Sequence, residues 1–256
     1  TLILTPLEAM LKNDCHNQEL SIATKNSRRL LRLVNQLLDF QKIDAGKKQM
    51  VMRPINVIEF LQVCGEYFSS ACREKGIDFK IDYAGNLNDS NLQPVWIMGE
   101  VDSMEKIIFN YLSNALKYSP ANSAIELKIE TRENRVRLLV SDQGPGISLL
   151  DQQKLFKIFS QIETNKPLNY EGTGLGLALV GSLVEQMNGQ VGIDSEVGQG
   201  SCFWAEFDTV DYYRMLVSVL VIDHSFECRR DTVAKLAKLL NPENYELVER
   251  SSFDDA

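Results

Sequence analysis

The sequence predicts an α+β chain in three parts. A helical hairpin over residues 1–47 builds a dimeric four-helix bundle, a two-layer α/β sandwich follows over 48–210, and a partial α/β segment closes the chain over 215–256. Three observations carry this reading. Apolar residues in the first part recur three or four apart, the period of one helix face. In the second, stretches such as Ile77, Phe79, Ile81 and Tyr83 alternate as in a strand with one buried face. In the third, Leu216 to Ile222 is an unbroken apolar run of strand length, as in a buried parallel sheet.

Leu2, Ile3, Leu4, Leu7, Met10 and Leu11 make a first helix, which the polar run Asn13-Asp14-Cys15-His16-Asn17 breaks. In a second helix, Ala23, Leu30, Val34 and Leu37 form a stripe that Leu31 and Leu38 widen. One short partner helix cannot cover it. Two chains sharing a four-helix bundle would cover it, and so, in part, would a hairpin packed on its own domain. Gly46 suits the end of the second helix. Val57, Ile58, Leu61, Cys64, Phe68 and Ala71 then repeat at helical spacing, and Val95-Trp96-Ile97-Met98 is a short strand. A helix spans 101–117. Ile125, Leu127 and Ile129 alternate before Glu133-Asn134, and Val136, Leu138 and Val140 alternate after it, a hairpin signal. Two last strands lie near 190–195 and 201–208. Strands mixed with helices on one side give a two-layer sandwich. After Leu216–Ile222, Val233, Leu236, Ala237 and Leu240 form a helix, and Tyr245-Glu246-Leu247-Val248 a strand.

With 256 residues the chain can bury more than one core. A net charge of −8 argues against a nucleic-acid surface. Cys15, Cys64, Cys72, Cys202 and Cys228 are odd in number and in no metal-ligand spacing, which suits reduced thiols in a cytoplasmic compartment. No apolar run reaches membrane-spanning length, so this segment is expected to make no membrane contact, whether or not a parent protein is anchored elsewhere.

The chemistry concentrates in four elements. Gly172-Thr173-Gly174-Leu175-Gly176-Leu177 runs into an amphipathic helix, where bare amides and a positive helix end suit phosphates; alone, such a loop is equally a tight turn. Upstream lie Asn110-Tyr111-Leu112-Ser113-Asn114-Ala115-Leu116-Lys117-Tyr118 and Asp142-Gln143-Gly144-Pro145-Gly146, and downstream Gly198-Gln199-Gly200-Ser201. Asn110, Asn114 and Lys117 share one helix face, where amide oxygens are hard ligands for Mg2+ and the lysine offers charge to a triphosphate. In this order and spacing, the set resembles the N box and glycine boxes of the histidine-kinase ATP-binding domain, of the Bergerat (GHKL) fold shared with DNA gyrase and heat-shock chaperone ATPases.

The resemblance implies ATP and Mg2+ as ligands. It implies Asn114 as the direct Mg2+ ligand with Asn110 beside it, Lys117 on phosphate and Tyr118 flanking the nucleotide. It implies that Asp142 accepts a hydrogen bond from the adenine amino group, in a pocket to which Gly144, Gly146, Ile147, Phe159, Gly172, Thr173, Gly174, Leu175, Gly176, Leu177 and Ser201 contribute. Asp142, facing a pocket, is expected to matter little for folding. Phe156 to Phe159 resembles the phenylalanine box that anchors a mobile lid, here residues 161–171, with Ile158 where many members carry arginine. ATP-hydrolysing relatives place a glutamate base where Asn110 stands; an amide is a poor base, which favours transfer to a protein side chain.

The hairpin resembles the dimerisation and phosphoacceptor domain, through Leu30 to Phe40. Thr5-Pro6-Leu7 either belongs to the acceptor box, with Thr1 in the histidine's place, or follows it, with the acceptor about seven residues before Thr1. The residues around Pro6 match the second alignment as a block. The chain's two histidines fit neither: His16 lies in the hairpin turn and His224 follows Asp223. Leu216 to Asp223 resembles the start of a receiver domain, in which Asp223 would be one of two acidic metal ligands and His224 replaces the other. The implied protein is a hybrid sensor histidine kinase core, homodimeric through its hairpin, with a receiver in cis or in trans and an upstream sensor module. A clamp ATPase of the gyrase or chaperone type, or a degenerate kinase acting as a scaffold, are the other readings.

Overall fold

The computed structural model describes residues 3–13, 17–44, 50–83, 93–157, 160 and 174–212. The chain divides into two compact units, Thr1–Thr209 and Val210–Ala256. Gly46, His16, Asp223, His224 and the whole receiver-like segment from 215 lie outside the described residues.

Helices α1 (Leu4–Asn13) and α2 (Gln18–Asp44) form the hairpin. Asn17 starts α2: its side-chain oxygen accepts from the Leu20 amide at 3.0 Å, satisfying one of the unpaired amides of the first turn. Arg28 on α2 meets Glu8 on α1 at 2.7 Å. Helix α2 also packs against a helix of the sandwich, α6 (Gly176–Gln186). It still exposes Ile22, Leu30, Val34, Leu37 and Leu38. The hairpin thus packs on its own domain and keeps an uncovered apolar stripe.

A five-stranded sheet forms one layer of the sandwich. Its strands are β2 (Asp78–Tyr83), β4 (Ala124–Arg132), β5 (Arg135–Asp142), β6 (Gln190–Glu196) and β7 (Gly200–Asp208), in the order β2-β4-β5-β7-β6. Only β2–β4 is parallel. Glu133 and Asn134 make the expected two-residue turn, with Glu133 at φ +49°. Helices α3 (Val57–Glu74), α4 (Val101–Tyr118) and α6 pack on the sheet. The other face carries charge: Glu206 bridges Arg135 and Arg137, each at 2.9 Å, and the Arg137 guanidinium lies 4.1 Å over the Trp204 ring.

Two elements were not anticipated. Strand β1 (Arg53–Asn56) pairs antiparallel with β3 (Trp96–Gly99) in a separate two-stranded sheet. Pro54 conceals β1, since proline argues against a central strand; a two-stranded ribbon has only edges and tolerates it. The four-residue helix α5 (Leu149–Gln152) is too short for any periodic signal, though Ser148 caps it by accepting from the Asp151 amide.

Helix α4 holds the functional face in place. Met104, Ile107, Ile108, Tyr111, Leu112 and Ala115 are buried against the sheet. Each buried isoleucine or leucine contributes about 1.5–3 kcal/mol over exposure. The Tyr111 hydroxyl donates to the Trp204 carbonyl at 3.1 Å, and its ring stacks on Phe203. Burial pushes the Tyr111 phenol well above its ordinary pKa, so it stays a donor. At the far end of α4, the Lys75 ammonium donates to the carbonyls of Leu116 and of Ser119, the latter at 3.2 Å. Lys75→Met keeps the stem and deletes this clasp. We expect a loss of about 1–2 kcal/mol in urea unfolding; an unchanged midpoint would show that the ammonium adds nothing.

Candidate nucleotide-binding site

The buried stripe of α4 fixes where its polar flank points. Lys106, Asn110, Asn114 and Lys117 follow one another by four, four and three residues along the half-buried side of the helix. Asn110 donates to the Lys106 carbonyl at 2.7 Å, which turns its side-chain oxygen toward the start of α6. A Cβ added at Gly176 would lie 2.4 Å from that oxygen, so any larger residue there would displace the Asn110 side chain. Lys117 donates to the Tyr118 hydroxyl at 2.9 Å and lies 4.6 Å over its ring. A cleft of about 300 Å³ opens between the hairpin and this flank, lined by Arg28, Leu31, Asn35, Lys106, Asn110 and Leu179 among others.

Asp142 ends β5. The alternation that turns Val136, Leu138 and Val140 toward the helices carries Asp142 to the same side, opposite Ser201 of β7. It is only 9 % exposed. Its Oδ1 accepts from the Gly144 amide at 2.7 Å, and the Ser201 amide also donates to the carboxylate. Gly144 fills the gap between this carboxylate and the end of α4: a Cβ there would stand 2.7 Å from Asp142 Oδ1 and 3.2 Å from the Tyr118 carbonyl. Gly146, at φ +69°, lies so close to β6 that a Cβ would meet the Glu196 carbonyl at 1.9 Å. The amide of half-buried Ile147 donates to Ser195 Oγ at 2.9 Å, and Ser201 Oγ lies 3.0 Å from the same oxygen.

Gly174, at φ +68°, leads through buried Leu175 into α6, where Leu177 packs against the core. Leu175, the residue before α6, makes no side-chain cap hydrogen bond of its own. The structure therefore brings Asn110 to Gly176, and Tyr118 to Gly144 and Asp142. It places Asn114 and Lys117 on the same flank of α4. Phe159, Gly172 and Thr173 lie outside the described residues. Ser195 and Gln152, both bonded to this loop, were missed; neither sits in a motif, and only the strand pairing brings them in.

The expectation that Asp142 matters little for folding is corrected by this geometry. Its carboxylate satisfies two backbone amides in a buried turn, so a change to alanine unpairs both. Asp142 therefore holds the loop in shape.

A family model described as histidine kinase-, DNA gyrase B- and HSP90-like ATPase matches residues 99–211. The autoinducer 2 sensor kinase/phosphatase LuxQ of Vibrio vulnificus is 31% identical over 219 residues, 79% of this chain and 25% of LuxQ. Hybrid signal transduction histidine kinase D of Dictyostelium discoideum is 30% identical over 211 residues, 79% of this chain and 13% of that protein. The crystal structure of full-length ShkA in complex with AMPPNP superposes with a TM-score of 0.63 at 29% identity, covering 75% of this chain and 39% of ShkA. The chain belongs to the sensor histidine kinase family. It spans a quarter or less of these two relatives' length. Its α+β sandwich is the ATPase fold of these kinases. No helix among the described residues is long and apolar enough to cross a membrane. Cys64, Cys72 and Cys202 of the kinase are free thiols.

Burial raises the Asp142 carboxyl above its ordinary value of 3.8, against the opposing pull of the Gly144 and Ser201 amides. A raised folded-state value means that the folded chain holds this proton more tightly than the unfolded one. The associated stability is fully present below the ordinary value and is lost as pH rises through the raised one. Asp142→Asn removes the titration. Compared with that variant, wild type should gain relative stability as pH falls from 7 toward 3.8, read by urea unfolding at several pH values. A pH-independent difference would mean that Asp142 titrates alike in both states.

Proposed function

We propose that this chain is the catalytic core of a cytoplasmic hybrid sensor histidine kinase: it binds ATP with Mg2+ and passes the γ-phosphate to a histidine on the first helix of a dimeric bundle. The carrying observation is the buried, hydrogen-bonded Asp142 at the end of β5, joined through Gly144 to the end of α4. In this reading the free lone pairs of the Asp142 carboxylate accept from the adenine amino group, and Tyr118 and Ile147 flank the base. The start of α6, after Gly174, would face the phosphates, with Lys117 adding charge. Phe159, Thr173 and Leu175 would also contact the nucleotide.

The donor set on α4 fits Mg2+ carried in by the triphosphate. Mg2+ takes few protein ligands beside phosphate oxygens, and neutral amides of Asn114 and Asn110 are oxygen donors of the right hardness. Bound there, Mg2+ would neutralise phosphate charge. A histidine nitrogen then attacks the γ-phosphorus, the bond to the β-phosphate oxygen breaks, and ADP leaves. Positioning and charge neutralisation supply most of the rate. With an amide at position 110 in place of a carboxylate, nothing there activates water, which favours the kinase over a clamp ATPase. The exposed stripe of Ile22, Leu30, Val34, Leu37 and Leu38 supports a homodimer. A receiver aspartate, in cis through the 215–256 segment with Asp223 as a metal ligand or in trans, would take the phosphoryl group next. An upstream sensor module would set the rate.

Two experiments test this. Calorimetry on residues 1–256 should detect ATP binding, and a version extended N-terminally across the acceptor should label a histidine with γ-phosphate. If the extended form binds ATP yet releases phosphate steadily without any phosphoprotein, the clamp reading replaces this one. No nucleotide binding at all would favour a scaffold. In addition, Asp142→Ala should weaken ATP binding by about 1–3 kcal/mol and narrow the preference for ATP over GTP. Equal weakening of both nucleotides would reduce Asp142 to a loop-shaping role.

A further inference from the structure

Helix α5 buries none of its residues, and Leu149 and Leu150 on it are exposed. Its attachment to the sheet is polar. The Gln152 amide donates to the Ile147 carbonyl and to the Ser195 carbonyl, both at 2.8 Å, spending both of its hydrogens. Ser195 ties the same two segments a second time: its hydroxyl accepts from the Ile147 amide at 2.9 Å and donates to the Gly200 carbonyl at 2.8 Å. With that proton committed, Ser195 Oγ accepts from the Ser201 hydroxyl 3.0 Å away. The backbone amide of Ser201 reaches the Asp142 carboxylate. A continuous polar chain thus runs from Gln152 through Ile147, Ser195 and Ser201 to Asp142.

The same loop is pressed against β6 and β7 with no slack. Gly198 donates to the Pro145 carbonyl at 2.7 Å, and a Cβ at Gly200 would meet the Asp142 carbonyl at 2.0 Å. Backbone contacts fix Asp142, Gly144 and Gly146 on the inner side of the turn. On its outer side Ile147 is held at both its amide and its carbonyl by side chains, those of Ser195 and Gln152. We propose that Gln152 and Ser195 are positioning residues of the nucleotide site, which set the distance between Ile147 and the base-reading edge of Asp142 and so tune adenine selectivity. This rests on the reading of Asp142 as the adenine contact. Neither residue touches nucleotide in this account; both act through Ile147 and Ser201.

The test uses the 1–256 chain with ATP and GTP as probes, in wild type, Gln152→Leu, Gln152→Glu, Ser195→Ala and Ser195→Thr. Gln152→Glu is the same shape without the two donors, so it reports on the hydrogen bonds even if Gln152→Leu folds poorly. Gln152→Leu, Gln152→Glu and Ser195→Ala should each weaken ATP about 3- to 10-fold, and GTP by less, narrowing the ratio. Ser195→Thr keeps the hydroxyl and should restore both affinity and ratio. In an extended, autophosphorylating form, the Gln152 variants should raise KM for ATP and leave kcat within about twofold. Folded variants with an unchanged ATP-to-GTP ratio, or with ATP and GTP weakened alike, overturn the proposal. A wild type that binds ATP and GTP equally overturns the Asp142 reading itself, a result distinct from either.

Discussion

A carboxylate buried at the end of a central strand costs several kcal/mol unless its lone pairs are used, and the Asp142 turn is organised around using them. The β5–β7 register sets Ser201 opposite Asp142, and the tight turn after the strand returns the Gly144 amide to Oδ1. Both donors are backbone groups, one in β7 and one in the turn after β5. That is why the carboxylate survives in a site this dry, and why the loop beneath it is rich in glycine: Gly144, Gly146 and Gly200 each abut atoms that a Cβ would strike.

The second half of the site depends on burial of a different kind. Helix α4 is oriented by a broad apolar stripe centred on Ile107, Ile108 and Tyr111, and its polar flank faces α6 as a consequence. Gly176 lets α6 approach until Asn110 touches its first turn. Lys75, reaching from the end of α3, fastens the last carbonyls of α4. The polar flank of α4 and the start of α6 then lie on one side of the sheet with Asp142. Chemistry that works by positioning charge and not by acid–base exchange needs such a rigid frame more than it needs reactive side chains.

Charge on the outer sheet face has a separate role. Arg135 and Arg137 hold Glu206 well below the usual carboxylate range, the first through its hydrogen bond, so the cluster is ionised near neutrality. Partial exposure screens it, and its contribution to stability is small. It makes that face polar.

Much of this was legible from residue order. Period and alternation located α1, α2, α3, α4, the β4–β5 hairpin and the last two strands, because each element's apolar pattern reflects which of its faces is buried. The motif residues of α4, the Asp142 turn and the approach to α6 were legible for the same local reason: amide, carboxylate and glycine at fixed spacing. Strand β1 was hidden by Pro54, and α5 by its length. What only the tertiary structure decided lies between segments distant in sequence. Gln152 and Ser195 stand 43 residues apart and bond the same turn, Lys75 clasps a helix 41 residues on, and α2 rests on α6. No local pattern encodes such pairings, because a side-chain amide or ammonium finds its carbonyl only after the sheet register and helix packing have brought the two within 3 Å.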